Sequence, residues 1–94
     1  MTNETENTLV IELEVTNELG LHARVATRIV QIMQKLRCQV TLAKDGVEAN
    51  ASSVLGLLML AASPGTVIEA RAKGPDSELA IQQISRLIQD EDID

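Results

Sequence analysis

Apolar and polar residues alternate from Leu9 to Val15, with Leu9, Ile11, Leu13 and Val15 on one parity and Glu12 and Glu14 on the other. A period of two with one wet face predicts a half-buried β-strand. Val10 is the one apolar residue out of phase. Thr16 to Gly20 is a polar turn, and the period then changes. From Ala23 to Leu36, the residues Val25, Ile29, Ile32, Met33 and Leu36 recur at helical spacing, with Arg28, Gln31, Gln34 and Lys35 on the other side. That is the stripe of an amphipathic helix. Lys35 and Arg37 suit the negative pole of its dipole.

Two short β-capable runs, Gln39 to Ala43 and Val47 to Asn50, flank Lys44-Asp45-Gly46. Asp-Gly between such runs predicts a hairpin, because glycine supplies the positive φ that tight hairpin turns need. The run from Ser53 to Ala62 is apolar, and either a short helix or a buried strand fits it. Gly56 and a serine N-cap, Ser52 or Ser53, favour a helix of two to three turns, stopped at Ser63-Pro64-Gly65. Thr66 to Ala72 alternates again, with Ile68, Ala70 and Ala72 inward. Lys73-Gly74-Pro75 breaks that strand, and Asp76 then caps a last helix with Glu78 in its first turn. Its apolar stripe is Ala80, Ile81, Ile84, Leu87 and Ile88. The order β-α-β-β-α-β-α, with one-sided strands and one-striped helices, predicts two layers: an antiparallel sheet with helices on one face.

Composition narrows what this layout can do. The 94 residues suffice for one domain, 1–94, with residues 1–8 and 90–94 read as solvated tails. Aromatic residues are absent, so the core is built from Leu, Ile, Val, Ala and Met. Base-stacking platforms are absent with them, which argues against a single-stranded nucleic-acid binder. A net charge of −6 makes phosphate backbones and anionic lipid poor partners. Cys38 is the one cysteine; it can form no internal disulfide and has no Cys or His at metal-ligand spacing, so it reads as a small hydrophobe. No signal peptide or membrane-spanning run is visible, and the chain is expected in the cytoplasm as a monomer.

The single histidine, His22, stands at the predicted helix start, two residues after Gly20 and two before Arg24. A lone histidine there is more often a cap or a surface residue than a reactive one. A metal site fails for want of a second ligand, and a hydrolase would need a nucleophile that is not beside it. A nucleophilic histidine fits better, because a neutral imidazole carries a nitrogen lone pair. A phosphoryl group on it would meet the first N–H groups of the helix, those of Ala23 and Arg24, the positive end of the helix dipole and the Arg24 guanidinium. Ser53 is either a plain N-cap or a regulatory phosphorylation site. The run behind it cannot bury every residue. Some of Val54, Leu55, Leu58 and Met59 therefore form an exposed apolar patch suited to a partner.

Gly20-Leu21-His22-Ala23-Arg24-Val25-Ala26 resembles the signature Gly-[Leu/Ile]-His-Ala-Arg-Pro-Ala of the histidine-containing phosphocarrier (HPr) family of the bacterial phosphoenolpyruvate-dependent phosphotransferase system. Ser53-Val54-Leu55-Gly56-Leu57-Leu58 resembles that family's second, serine signature, at the family's interval. Pro64-Gly65-Thr66 and Gly74-Pro75-Asp76 also match, so the likeness runs from about Leu9 to Gln89. The resemblance implies an open-faced β-sandwich, with four antiparallel strands and three helices on one face. It implies a carrier rather than an enzyme, without cofactor, in which His22 takes phosphate on Nδ1 from phosphorylated enzyme I and gives it to an enzyme IIA for sugar uptake. Arg24 would stabilise the phosphoryl group. Leu21, Val54, Leu55 and Leu58 would form the docking surface, and Ser53 would be the target of an HPr kinase/phosphorylase.

Two departures stand out. Val25 replaces the family's proline and makes the helix entry less rigid. Ser52 stands where a basic residue is common, which bears on kinase recognition. A regulatory, nitrogen-type or catabolite-control binding module with little transport role is the alternative function. A ligand-binding module of ACT type shares the alternating order but not the two signatures.

Overall fold

The computed structural model describes residues 8–89, so the tails read from the sequence lie outside the described residues apart from Thr8. The chain runs β1 (Leu9–Glu14), α1 (Ala23–Lys35), β2 (Gln39–Lys44), β3 (Val47–Asn50), α2 (Val54–Met59), β4 (Val67–Lys73) and α3 (Ser77–Gln89). The strands form one sheet in the order β1-β4-β2-β3, and every neighbouring pair is antiparallel. The three helices cover one face. The expected order and architecture are what the structure has.

Alternation explains why each strand has a dry and a wet side. Leu13 of β1, Val40 and Leu42 of β2, Ala49 of β3 and Ile68, Ala70 and Ala72 of β4 join one core with Val25, Ile29 and Met33 of α1, Leu57 of α2 and Ile81, Ile84 and Ile88 of α3. Small side chains on the central strand β4 let α3 lie close over it, and Ala80 of α3 is equally small and fully buried. Each fully buried Leu or Ile contributes about 1.5–3 kcal/mol through the area it removes from water. The out-of-phase Val10 points the other way and is exposed. On the same outer face Arg71 of β4 reaches over β2 to pair with Glu48 of β3, and also lies 3.0 Å from Glu69.

The hairpin turn is made as its sequence predicts, with Asp45 at φ 51° and Gly46 at φ 81°. Two positive φ values in succession match the right-handed twist of the strands they join.

Three local readings are corrected. Helix α2 is six residues long and is not stopped by Pro64: its C-cap is Leu60, and Ala61 turns the chain at φ 51°. Lys44 belongs to β2 rather than to the turn, and its ammonium donates to the carbonyls of Leu60 and Ala61, both at 3.1 Å. Those are carbonyls at the end of α2, which need partners from outside the helix. Asp76 directly precedes α3 and its carbonyl accepts from Ala80, but its carboxylate accepts from the Arg37 backbone N–H at 2.8 Å instead of capping. It thereby ties the end of α1 to the start of α3. Burial, and after it the Asp76 charge, raise the pKa of the half-buried Cys38 thiol.

Lys44→Met should lower unfolding free energy by about 1–3 kcal/mol in urea titration, because two carbonyls lose a charged donor. Lys35→Met, on the exposed side of α1, should stay within about 0.5 kcal/mol of the parent. A raised thiol pKa leaves less thiolate at any pH below it, so Cys38 should alkylate with iodoacetamide more slowly than free cysteine at pH 8. Urea should abolish the difference; equal rates in the folded protein would contradict the burial of the thiol.

Candidate functional site

The site grows out of the turn between β1 and α1, and that turn is pinned from three sides. Val15 donates to Thr66 and accepts from Gly65, both at 2.8 Å, which carries the β1–β4 pairing past the strand ends. The Asn17 N–H donates to the Ile88 carbonyl at 3.1 Å, and the Thr16 hydroxyl to the Gln89 carbonyl at 2.7 Å, so the end of α3 props the turn from below. Asn17 is buried, and its side-chain Oδ1 accepts from the Leu19 N–H at 3.0 Å while its carbonyl accepts from Gly20. This local bonding is why an asparagine starts the turn.

Gly20 has φ +70°, and a Cβ there would lie 2.6 Å from the Ala62 carbonyl oxygen. The backbone must come this close because the next N–H, that of Leu21, donates to the same carbonyl at 2.9 Å. The loop before α1 is therefore bonded to the loop after α2. Leu21 itself is buried, 6% exposed, and belongs to the core. Its expected place on a docking surface is corrected: it anchors the loop from beneath.

His22 follows as the N-cap of α1, in extended conformation at φ −93° and ψ −178°. Its carbonyl accepts the helix bond from Ala26 at 2.9 Å, and its Nδ1 accepts from the Arg24 N–H at 3.2 Å. An atom that accepts cannot carry the ring proton, so in the neutral ring the proton sits on Nε2 and the lone pair on Nδ1. The ring is half-buried, while Ala23 and Arg24 are exposed. The first turn of α1 carries no acidic residue, so nothing there competes with an incoming anion for the positive helix end. The N–H groups of Ala23 and Val25 have no acceptor among the described residues. The Nδ1 lone pair thus lies at the start of a helix, among its first N–H groups and two residues before Arg24. The chemistry available is to hold an anionic group on that nitrogen.

Ser53, rather than Ser52, is the N-cap of α2, and its Oγ accepts from the Gly56 N–H at 3.0 Å. The Ser52 N–H instead donates to Asn50 Oδ1 at 2.8 Å. Ser53 is not gathered into the His22 site. His22 neighbours the loop after α2, whereas Ser53 stands at the other end of a helix that rises about 9 Å. Between them α2 shows Leu55 at 68%, Leu58 at 37% and Met59 at 69% exposure. Val54 is half-buried against the core, and Leu57 is fully buried. Leu19, which the sequence reading missed, is 73% exposed in the turn just before His22. The Asn17-to-Gly20 turn signal could have found it, since a residue at a turn apex points outward.

Among the described residues no group of three His, Cys, Asp or Glu could hold a metal ion, and no helix is long and apolar enough to cross a membrane.

The family model described as PTS HPr component phosphorylation site matches residues 10–90. The chain is 49% identical over 78 residues to phosphocarrier protein HPr of Xylella fastidiosa, covering 83% of this chain and 88% of that protein. It is 43% identical over 76 residues to phosphocarrier protein NPr of Escherichia coli, covering 80% and 84%. Among solved structures, the crystal structure of a phosphocarrier protein HPr from Bacillus anthracis superposes with a TM-score of 0.82 at 29% identity, covering 87% of this chain and 98% of that one.

The close approach at Gly20 has a measurable cost when it is blocked. Gly20→Ala should destabilise the fold by roughly 2–4 kcal/mol, since a Cβ meets backbone and the φ is left-handed. Gly46→Ala, with φ +81° but nothing within 4 Å, should cost only about 1 kcal/mol. Urea unfolding of the pair tests this, and equal losses would contradict the close contact.

Proposed function

The chain belongs to the HPr family of phosphocarrier proteins, and from that membership we propose that it is a phosphoryl carrier of the bacterial phosphotransferase system. His22 takes the group on Nδ1 from phosphorylated enzyme I and hands it to enzyme IIA components for sugar uptake. The observation that carries this reading is the position of Nδ1: it accepts from the Arg24 N–H at the start of a helix whose first turn has no acidic residue.

The transfer balances with the groups present. The Nδ1 lone pair attacks phosphorus and forms the N–P bond. The bond from phosphorus to the donor breaks, and its electron pair leaves on the donor. The Nε2 proton stays on the ring at this step. Attack requires the Arg24 N–H to release Nδ1. At 3.2 Å that bond is at the long end of the N–H donor range, so little is lost. The freed N–H then donates to a phosphoryl oxygen, joined by the Ala23 N–H and the Arg24 guanidinium. Passing the group on reverses these steps, so the chain is a carrier without turnover of its own.

Leu55 and Leu58, with the edge of Val54, form the partner surface. Their position between His22 and Ser53 supports a coupling of the two modifications. Phosphate on Ser53, placed by an HPr kinase/phosphorylase, would keep an acceptor for the Gly56 N–H but set about two negative charges beside exposed Leu55. This carrier works as a cytoplasmic monomer and needs no cofactor. The likeness to an NPr favours the second reading, a regulatory branch with little transport role.

Incubation with phosphoenolpyruvate and enzyme I should give acid-labile phosphate on His22 and none on His22→Ala. Equal labelling of the two would overturn the reading. Addition of a sugar-specific enzyme IIA should then discharge the label; retention of the label beside that acceptor would select the regulatory branch.

A further inference from the structure

We infer that the backbone N–H of Val25 is a further hydrogen-bond donor to the phosphoryl group on His22, and that it makes this chain hold phosphate more firmly than a proline at that position allows. The inference rests on the phosphocarrier reading above.

With His22 as N-cap, Ala23, Arg24 and Val25 are the first three helical residues. A cap side chain receives the N–H of the second or third of these, because both point back toward it. Here the second, Arg24, meets Nδ1 at 3.2 Å. The third, Val25, sits just before the helix ladder begins at Ala26, whose N–H goes to the His22 carbonyl. Its N–H has no acceptor among the described residues. The Val25 side chain is fully buried in the core, which fixes the backbone and so the direction of that N–H.

A phosphoryl group on Nδ1 extends from the nitrogen toward these donors and brings three acceptor oxygens. The donors of Ala23, Arg24 and Val25 equal them in number. Proline at position 25 would leave two, since its nitrogen carries no hydrogen. During transfer the bond to phosphorus loosens and the group becomes metaphosphate-like. Donors aimed at the resting phosphohistidine therefore favour the loaded carrier over the departing group. Val25 acts here on the phosphoryl group itself, through its backbone N–H rather than its side chain.

Two variants separate the N–H from the side chain. Val25→Pro removes the donor, at a helix position where proline is tolerated. Val25→Ala keeps the donor and removes buried side-chain atoms. With phosphoenolpyruvate-charged enzyme I as the phosphate source, the equilibrium share of phosphate on Val25→Pro should fall roughly tenfold relative to wild type, the scale of one charge-assisted hydrogen bond. Val25→Ala should stay within about twofold. In ¹⁵N-labelled wild type, phosphorylation should move the Val25 amide proton strongly downfield, a readout that needs no variant. An unmoved Val25 amide would overturn the inference, as would a Val25→Ala loss equal to that of Val25→Pro. Absence of any label on wild-type His22 would instead overturn the phosphocarrier reading, and this inference with it.

Discussion

The candidate site depends on one close approach, the backbone of Gly20 against the Ala62 carbonyl. No side chain fits between them. Because the contact exists, the Leu21 N–H can bond that carbonyl and the Leu21 side chain can enter the core. The chain then reaches His22 extended and at a fixed place, and the helix starts with an imidazole as its cap. The buried side chains of Val25 and Ala26 lock the first turn behind it. Geometry at the His22 ring is thus set by backbone contacts made on either side of it.

In the proposed carrier the cap bond serves two states of the molecule. Before loading it satisfies a helix donor and selects the ring nitrogen that bears the lone pair. After loading, the same donor would face an oxygen of the phosphoryl group. Helix ends are suited to such an exchange because their N–H groups lack partners within the helix. The net acidity of the chain makes the local absence of carboxylates in the first turn of α1 more consequential, since Glu or Asp there would occupy the donors that the anion needs.

Much of this was legible in the sequence where the pattern is local. Alternation in Leu9 to Val15 and Thr66 to Ala72, helical spacing after Ala23 and after Asp76, and Asp45-Gly46 each carry their own period or turn chemistry. What was not legible depends on residues far apart in the chain. Lys44 looks like part of a turn until Leu60 and Ala61 are brought to it. Asp76 has the composition of a cap until Arg37 competes for its carboxylate. The short apolar run of α2 has no clear period, so its end at Met59 and the left-handed Ala61 had no signal. Leu19 and Leu21 are the same residue type two places apart, and only the approach of Ala62 decides that one is buried and the other exposed. Ser52 and Ser53 can both cap by composition, and the Asn50 side chain decides between them by taking the Ser52 N–H.

The most direct measurement is nitrogen NMR of the His22 ring, before and after phosphorylation. In the unphosphorylated protein, at a pH where the ring is neutral, Nδ1 should show the shift of an unprotonated nitrogen and Nε2 that of a protonated one. After phosphorylation, phosphorus should couple to Nδ1. A ring that carries its proton on Nδ1, or a phosphorus coupled to Nε2, would contradict the placement of the nucleophile at the start of α1.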